Sequence, residues 1–217
     1  ETGIGILKRF RLRVIFQNIP NYITVFVGIL FANVIIFFGL GMKPMLLHYQ
    51  DIIEDNMISK YQYVLKMPAE TKTEGVEKYC SGSLKTVDDK LKEETATIYG
   101  VKENSKFVHA DIKDGGAFIS DGYSQKYNIE VGDEVTLKES YGDKKYTFKV
   151  EGIYDDPATI AVYLTDSDFI KTFELEDGYF NGYFSNTKIK DIDDLYIATT
   201  ITKDDLTKTS RQLILSM

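Results

Sequence analysis

An uninterrupted apolar run over residues 22–42 constrains the fold of this chain more than any other feature. The run, YITVFVGILFANVIIFFGLGM, has no charged residue and contains thirteen Ile, Val, Leu and Phe residues. A helix of this length spans about 31 Å, which matches the hydrocarbon core of a bilayer. Those thirteen side chains favour insertion by roughly 4 to 8 kcal/mol, and the apolar core of a cleaved signal peptide is usually shorter. We therefore predict that residues 22–42 form a transmembrane helix surrounded by membrane lipid.

Charge is divided unevenly along the chain. Residues 1–42 carry a net charge of 4 − 1 = +3, and the remaining residues carry 22 − 32 = −10. Because basic residues favour the cytoplasmic side of a membrane, the sequence predicts a cytoplasmic N-terminus over residues 1–21 and an extracellular location for the main domain. The acidic charge beyond the apolar run argues against binding to nucleic acid. The cytoplasmic part contains the basic residues Lys8, Arg9, Arg11 and Arg13.

Two segments flank the main domain and lead from and to the membrane. Pro20 lacks a backbone N–H, so the chain is predicted to bend at residues 18–21, between the basic N-terminal residues and the spanning helix. We call residues 1–21, which include this bend, the basic elbow segment. Apolar residues recur at helical spacing within residues 43–58, which predicts a helical stalk after a disturbance at Pro44. These apolar residues are Leu46, Tyr49, Ile53 and Met57.

A second helix is predicted for residues 203–217. Thr202 caps its start with Asp205 three residues later, and one face carries Leu206, Leu213 and Met217. The domain thus starts after a helix that leads out of the membrane and ends with a helix that leads back to it. We therefore expect the domain to connect two membrane spans. The chain is accordingly expected to be a piece of a longer protein, with further spans beyond Met217.

Residues 59–202 are predicted to form a mainly β, α+β domain. Alternating apolar residues predict a strand at residues 60–66 and a two-stranded hairpin over residues 134–153, which turns at Gly142. Residues 160–164 are another predicted strand. Short helices are predicted after Ser120, after the capping box that begins at Thr165, and at residues 74–79.

Asn181-Gly182 lies between two aromatic pairs, which is typical of a two-residue hairpin turn with positive φ at both positions. If only one face of that hairpin is buried, the other is an aromatic interaction surface. If both faces are buried between packed layers, the aromatic residues belong to the core, and this second arrangement is the more common one. The residues of this candidate surface are Tyr179, Phe180, Tyr183 and Phe184.

Within the apolar run, Gly28 and Ala32 form a small-xxx-small pair, and Asn33 follows directly. Small residues four positions apart allow another membrane helix to approach closely, and an Asn side chain can form a hydrogen bond across the contact. These three residues are therefore candidates for helix packing. A glycine that faces lipid without a partner helix is the equally weighted alternative.

No pattern in the sequence indicates an enzyme, a metal site or a cofactor site. Cys80 is the only cysteine, and His48 and His109 belong to no zinc-binding spacing. The chain has no phosphate-binding loop of the GxxxxGK[ST] type. Four pairs of adjacent aspartates lie beside predicted turns and helix starts, where aspartate commonly caps backbone N–H groups. We predict no catalytic residues, no metal and no cofactor for this chain.

Several segments resemble the permease subunits of ABC transporters with FtsX-like or MacB-like architecture, in particular the large Gram-positive type. RLRVIFQNIPNYITVFVGILF resembles the basic segment and first span of that family. SQKYNIEVGDEVTL, YTFKVEGIYDD and VYLTDSDFIKTF resemble the core of its extracellular domain, and GYFNGYFSN with TITKDDLTKTSRQL resembles the closing part of that domain. The resemblance covers most of the chain, and its motifs are structural ones.

This resemblance implies one permease half that works with a cytoplasmic ABC ATPase subunit and with other permease helices or a second permease half. In such a protein ATP hydrolysis by the partner moves the extracellular domain, which engages or exports a substrate such as a peptide or a lipid. Residues 22–58 would transmit the movement. The alternative interpretation is a single-pass, membrane-anchored sensor or adhesion domain, which would lack the ATPase partner and the further spans.

Overall fold

The computed structural model describes residues 5–88 and 92–215. These residues form two compact units, one over Glu1–Tyr49 with Leu213–Met217 and one over Gln50–Gln212. The helices are α1 Ile6–Asp55, α2 Asp121–Tyr127, α3 Asp166–Thr172 and α4 Lys203–Leu215. The strands are β1 Tyr61–Leu65, β2 Glu77–Thr86, β3 Thr95–Val101, β4 Ala117–Ser120, β5 Glu134–Lys138, β6 Lys145–Tyr154, β7 Ala161–Thr165, β8 Gly182–Ser185 and β9 Ile197–Thr202.

The first unit consists largely of α1, which is helical from Ile6 to Asp55 without a break. The predicted elbow at residues 18–21 is therefore wrong, because Pro20 and Pro44 both lie inside the helix. A proline removes one helical hydrogen bond, and neighbouring polar side chains can replace part of what is lost. Near Pro20, the Asn18 amide donates to the Val14 carbonyl and the Thr24 hydroxyl donates to the Pro20 carbonyl, both at 2.9 Å.

Helix α1 contains a segment that is long and apolar enough to cross a membrane. The most apolar 18-residue window has a mean hydropathy of 2.6, and none of its residues is buried. A soluble core helix of similar composition would bury most of these side chains. The exposed apolar surface is the property expected of a lipid-facing helix.

The second unit is built on a closed ring of six strands. They follow the order β3-β7-β4-β6-β5-β2, and a further pairing of β2 with β3 closes the ring. The β3–β7 and β4–β6 pairs are parallel, and the other pairs in the ring are antiparallel. The predicted α+β fold class, with one long apolar N-terminal helix and a mainly β domain, is confirmed.

The interior of the ring is the largest hydrophobic core. The hairpin of β5 and β6 has the predicted alternation, with Val135 opposite Phe148 and both residues buried. The core is formed by buried apolar side chains from all six strands together with one from each of α2 and α3. The predicted caps are present, since the Ser120 hydroxyl accepts from the Tyr123 N–H and the Thr165 hydroxyl accepts from the Asp168 N–H.

Three further strands extend from the ring in the order β8-β1-β9, and β8 pairs with β2. The strand predicted at residues 60–66 is β1, and its alternate residues Tyr63 and Leu65 are buried. The helix predicted at residues 74–79 is wrong, because Glu77–Thr86 forms β2. Tyr79 is 1% exposed there and stacks on Phe184, so tertiary packing outweighs the short local pattern.

The predicted hairpin at Asn181-Gly182 is also wrong. Neither residue has a positive φ, and β8 begins at Gly182 between its neighbours β1 and β2. The Asn181 side chain instead binds the backbone of Ser81, since its Oδ1 accepts from the Ser81 N–H at 2.7 Å and its Nδ2 donates to the Ser81 carbonyl at 2.8 Å. Asn181 thus satisfies polar groups of a neighbouring strand, a role that local turn statistics do not reveal.

Candidate functional site at the C-terminal end of helix α1

The predicted helix-packing residues lie on α1 in the first unit. Gly28, Ala32 and Asn33 are all exposed, and no atom lies within 4 Å of the position that a Cβ of Gly28 would occupy. Gly28 and Ala32 are four residues apart and thus on the same face of the helix. That face has room for the close approach of another helix, and the role of these three residues stays a prediction.

The proposed aromatic interaction surface is not present in the structure. Phe180, Tyr183 and Phe184 are 6%, 1% and 0% exposed, and Tyr179 is half-buried against the core of the ring. The rings are distributed over three separate hydrophobic clusters. All four residues of β8 are buried, and because side chains of a strand alternate between its two faces, both faces of β8 are covered. These aromatic residues therefore belong to the core, as in the second arrangement considered above.

The titratable groups of the described residues form no metal-binding cluster. No group of three His, Cys, Asp or Glu residues within 5–88 and 92–215 is arranged to hold a metal ion. Cys80 is buried, and this burial raises the pKa of its thiol to about 12, so the thiolate that reactivity requires does not form near neutral pH. Its Sγ donates to the Tyr179 carbonyl at 3.1 Å.

In three of the aspartate pairs, one member accepts hydrogen bonds from groups close in sequence, namely Asp156, Asp193 and Asp205. Asp156 is buried and accepts hydrogen bonds from the Thr159 hydroxyl at 2.5 Å, the Ala158 N–H at 3.1 Å and the Tyr163 hydroxyl at 3.2 Å. Asp193 accepts from the Leu195 N–H at 2.9 Å. Asp89 lies outside the described residues. These contacts agree with the turn role predicted from the sequence.

The residues that the structure brings together at the C-terminal end of α1 and in α4 form a different site, which we call the helical joint. It consists of the last residues of α1 in the second unit (residues 50–55), the first ten residues of α4 (residues 203–212), and the adjoining ends of β1 and β9. Tyr61 at the start of β1 pairs with Thr202 at the end of β9. Since β1 and β9 are antiparallel, the chain enters and leaves the domain at the same place.

Polar contacts join the two helices within the joint. The Gln50 amide donates to the Ser210 hydroxyl at 3.0 Å, and the Ser210 hydroxyl donates to the Thr207 carbonyl at 2.9 Å. Glu54 forms an ion pair with Lys203, and both side chains are about half exposed. Ile53 is the one buried residue of α1 among those described. The joint therefore combines one buried residue of α1 with the buried Thr207 and Ser210 of α4, and a hydrogen bond and an ion pair connect the two helices.

Helix caps define where each helix of the joint ends. The Asn56 side chain donates to the Ile52 carbonyl at 2.8 Å, which satisfies a carbonyl at the end of α1. At the start of α4, the predicted capping box is confirmed, because Asp205 accepts from both the N–H and the hydroxyl of Thr202. The bond from the Thr202 hydroxyl is the largest reason why the pKa of Asp205 is lowered.

A cavity of about 640 Å³ opens beside the joint. Glu54 and Lys203 line it together with Tyr61, and the Lys60 N–H donates to the Asn186 side chain at 3.2 Å on its far side. Space beside an ion pair lets the two charged side chains separate into water without breaking a packed core. The ion pair of the joint therefore borders open space.

Sequence patterns did not identify the pairing partners of the joint. Gln50 and Ser210 are 160 residues apart, and no local pattern specifies such a contact. One signal was present, because Lys203, Thr207 and Ser210 recur at helical spacing on a single face of α4. The face with Leu206 and Leu213 is half exposed in the structure, and Met217 lies outside the described residues.

Comparisons with known proteins gave structural likenesses alone. No protein-family model and no curated protein matches the chain. The extracellular domain of a noncanonic ABC-type transporter, YknZ, from Gram-positive bacteria is similar over 71% of this chain and 93% of its own, with 14% identity and a TM-score of 0.38.

Two other solved structures show the same level of likeness. The periplasmic region of MacB from Actinobacillus actinomycetemcomitans matches 76% of this chain and 88% of its own, with 14% identity and a TM-score of 0.39. A domain of a permease protein from Porphyromonas gingivalis matches 61% of this chain and 73% of its own, with 8% identity and a TM-score of 0.35.

Proposed function

We propose that this chain is one half of the permease component of an ABC transporter, comprising its first membrane span and its extracellular domain. In this proposal residues 22–42 cross the membrane, residues 1–21 are cytoplasmic, residues 59–202 lie outside the cell, and residues 203–217 return to the membrane. The observation that carries it is α1, which runs as one helix from the basic end, through the exposed apolar segment, to the joint. The motifs that resemble FtsX-like and MacB-like permeases support the same role.

The mechanism follows from the helical joint. A cytoplasmic ATPase subunit would change the relative position of the membrane helices, and a continuous helix can carry such a movement over its whole length. Because α1 leads into β1 and α4 follows β9, and these strands pair at Tyr61 and Thr202, a shift between the helices acts directly on the domain. The chain needs no catalytic residue of its own for this role.

The substrate is proposed to be a peptide or a lipid that the extracellular domain engages or exports. The second permease half, or other permease helices, would pack against the span, and Gly28, Ala32 and Asn33 are the proposed contact. Replacing Gly28 with Ile should weaken this association, because the larger side chain separates the helices. Replacing Leu40, an exposed apolar residue on the same helix, with Ile is the matched control.

Co-purification tests the partner. The intact protein, extracted in mild detergent, is expected to carry a cytoplasmic ATPase subunit in a defined ratio. Purification with no ATPase, together with normal surface expression, would instead favour the sensor or adhesion alternative.

A reversible crosslink tests the mechanism in the intact transporter. Gln50→Cys with Ser210→Cys places two thiols at the joint, and Cys80 does not compete because its thiol is buried. We expect a short bifunctional thiol reagent with a reducible link to stop substrate-dependent ATP turnover and reduction of the link to restore it. The control pair is Ser83→Cys with Thr97→Cys, which lie opposite each other in the β2–β3 register, and a crosslink there should leave turnover unchanged. Equal effects of both crosslinks would contradict a role for the joint.

Surface labelling tests the orientation. Tyr141 is fully exposed in the turn between β5 and β6, so Tyr141→Cys offers an accessible thiol, whereas Cys80 is buried and serves as an internal control. A membrane-impermeant maleimide is expected to label Tyr141→Cys in intact cells and to leave the unmodified protein unlabelled. Labelling that requires permeabilised cells would place the domain on the cytoplasmic side and end the proposal.

A further inference from the structure

Half of one strand in the ring has no strand neighbour on one side. Strand β6 is ten residues long, and β5 pairs with its first half, Lys145 to Lys149. On the opposite side, β4 is shorter and pairs with Val150 and the residues that follow it. Among the described residues, no strand pairs with the first half of β6 on the β4 side. The ring is closed by the β2–β3 pairing, but it has a gap beside the first half of β6, where β4 does not reach.

The direction of the backbone groups on this edge follows from the bonds to β5. The Val150 N–H donates to the Asp133 carbonyl at 2.9 Å, and the Lys144 carbonyl accepts from the Glu139 N–H at 3.1 Å. Backbone groups of alternate residues in a strand point to opposite sides. Lys145 and Thr147 consequently direct their N–H and C=O groups away from β5, toward the open side. They form a short template for hydrogen bonding to another extended chain.

A cavity of about 520 Å³ lies along this edge. All five residues of the first half of β6 line the cavity. A cavity on one face of the strand would be lined by every second residue, because successive side chains point to opposite faces. The cavity therefore lies along the edge of the strand. Leu164 and Lys171 line the other side. The volume is within the range of small-ligand and peptide sites.

Positive charge surrounds the cavity. Lys145, Lys149 and Lys171 are exposed and form none of the ion pairs found between described residues, although the charge of Lys171 also acts on Asp114. Asp168 also lines the cavity, but its carboxylate accepts a hydrogen bond from the Gly115 N–H at 2.5 Å. Three lysines therefore stand against two carboxylates, since Asp168 lines the cavity and the Glu151 carboxylate lies beside Gly116 in its wall, and the local balance is positive in a chain whose net charge is −7.

We propose that this edge binds an extended acidic peptide segment of a partner protein, which adds a strand beside the first half of β6. Backbone hydrogen bonds to Lys145 and Thr147 would supply affinity, and the three lysines would select acidic side chains. Lysines on an open edge disfavour pairing with the same edge of a second copy of this chain, because like charges would meet. The proposal does not depend on the transport function.

Backbone-modified peptides test the hydrogen bonding with the full-length protein in detergent. The probe is a capped hexapeptide of alternating glutamate and valine, and binding is measured by fluorescence polarisation. In an added strand, every second peptide N–H faces β6, and the others point away from it. N-methylation of the N–H groups that face β6 should weaken binding about tenfold or more. N-methylation of the N–H groups that point away should not weaken binding. Equal effects of the two sets, or no binding at millimolar peptide, would overturn the proposal.

Hydrogen exchange locates the bound peptide. The glutamate–valine peptide should slow amide exchange at Lys145 and Thr147 about tenfold, while the amide of Phe148, which points to β5, is the internal control. Slowing that occurs elsewhere and spares these two residues would refute the site.

Charge variants test the selectivity for acidic peptides. Lys145→Glu with Lys149→Glu and Lys171→Glu should weaken binding of the acidic peptide about tenfold or more and should favour a lysine–valine peptide. The matched control changes three other exposed lysines, Lys66, Lys188 and Lys190, to Glu, so the net charge is the same. An equal loss in both triple variants would show that net charge alone drives binding and would refute the edge as the site.

Discussion

The ring and the helical joint belong to the same compact unit and differ in how they are held together. The ring surrounds a core in which Ile98, Ile119 and Val162 are fully buried. The joint buries Ile53 of α1 with Thr207 and Ser210 of α4, and a hydrogen bond and a half-exposed ion pair connect the two helices. Close packing resists deformation, whereas partly hydrated polar contacts exchange at little cost. The comparison indicates a rigid domain attached through a junction that can readjust.

The largest effect is expected from truncating an aromatic residue beside the ring. Phe184 is 0% exposed and stacks on Tyr79 with the ring centroids 4.1 Å apart. Phe184→Ala should lower the free energy of unfolding by about 3 to 5 kcal/mol, because it removes buried area and leaves a cavity. Denaturant unfolding measures this change, and Tyr141→Ala at a fully exposed position is the control. A change below about 1 kcal/mol would mean that this core is not closely packed.

A smaller loss is expected at the buried carboxylate of Asp156. Asp156→Ala leaves the hydroxyl of the fully buried Tyr163 without its partner, so the free energy of unfolding should fall by about 1 to 3 kcal/mol. The same substitution in a Tyr163→Phe background should have a smaller effect, because no hydroxyl is left unsatisfied. Equal losses in both backgrounds would show that the Tyr163 hydrogen bond contributes nothing.

The joint should respond more weakly. A double-mutant cycle of Gln50→Ala and Ser210→Ala is expected to give a coupling free energy of about 0.5 to 1.5 kcal/mol, the range of one partly buried hydrogen bond. Thr209→Ala, at an exposed position next to Ser210, is the control for helix propensity. A coupling as large as the loss at Phe184 would remove the contrast between ring and joint.

The ion pair of the joint should have an effect that is smaller still. The side chains of Glu54 and Lys203 are about half exposed, so water screens their attraction, and their coupling should be about 0 to 1 kcal/mol. The coupling should decline as salt is added. The variant with the two charges exchanged, Glu54→Lys with Lys203→Glu, should recover most of this coupling free energy. Salt-independent coupling would indicate that packing, and not charge, holds these side chains together.

Acid should loosen exposed loops before it affects the ring. Hydrogen bonds from the Thr71 hydroxyl and the Lys72 N–H lower the pKa of Asp191 to about 2. The ordinary pKa of aspartate is about 3.9, so the stabilisation is complete above that value and is lost as the pH falls through about 2. NMR titration should give this low pKa, and the protection factor of the Lys72 amide, which compares its exchange rate with that of an unstructured amide at the same pH, should fall over the same pH range. A pKa of Asp191 near 3.9 would contradict the contact.

Local patterns predicted the parts of the fold that depend on neighbouring residues. The β5–β6 hairpin and the caps at Ser120, Thr165 and Thr202 are present as predicted. Each involves residues close in sequence or a simple alternation of burial. The predictions at residues 74–79 and at Asn181-Gly182 were wrong, because distant strands provide the packing and hydrogen bonds that override the local pattern there.

The sequence by itself determined the apolar segment of α1, the division of charge, and the alternation that makes the domain mainly β. These properties follow from hydrophobicity and periodicity, which are read along the chain. The tertiary structure alone decided that β2 closes the ring with β3, that part of β6 is left without a neighbour, and that Gln50 meets Ser210. Such pairings join residues far apart in sequence, and their stability depends on the packing of the whole domain.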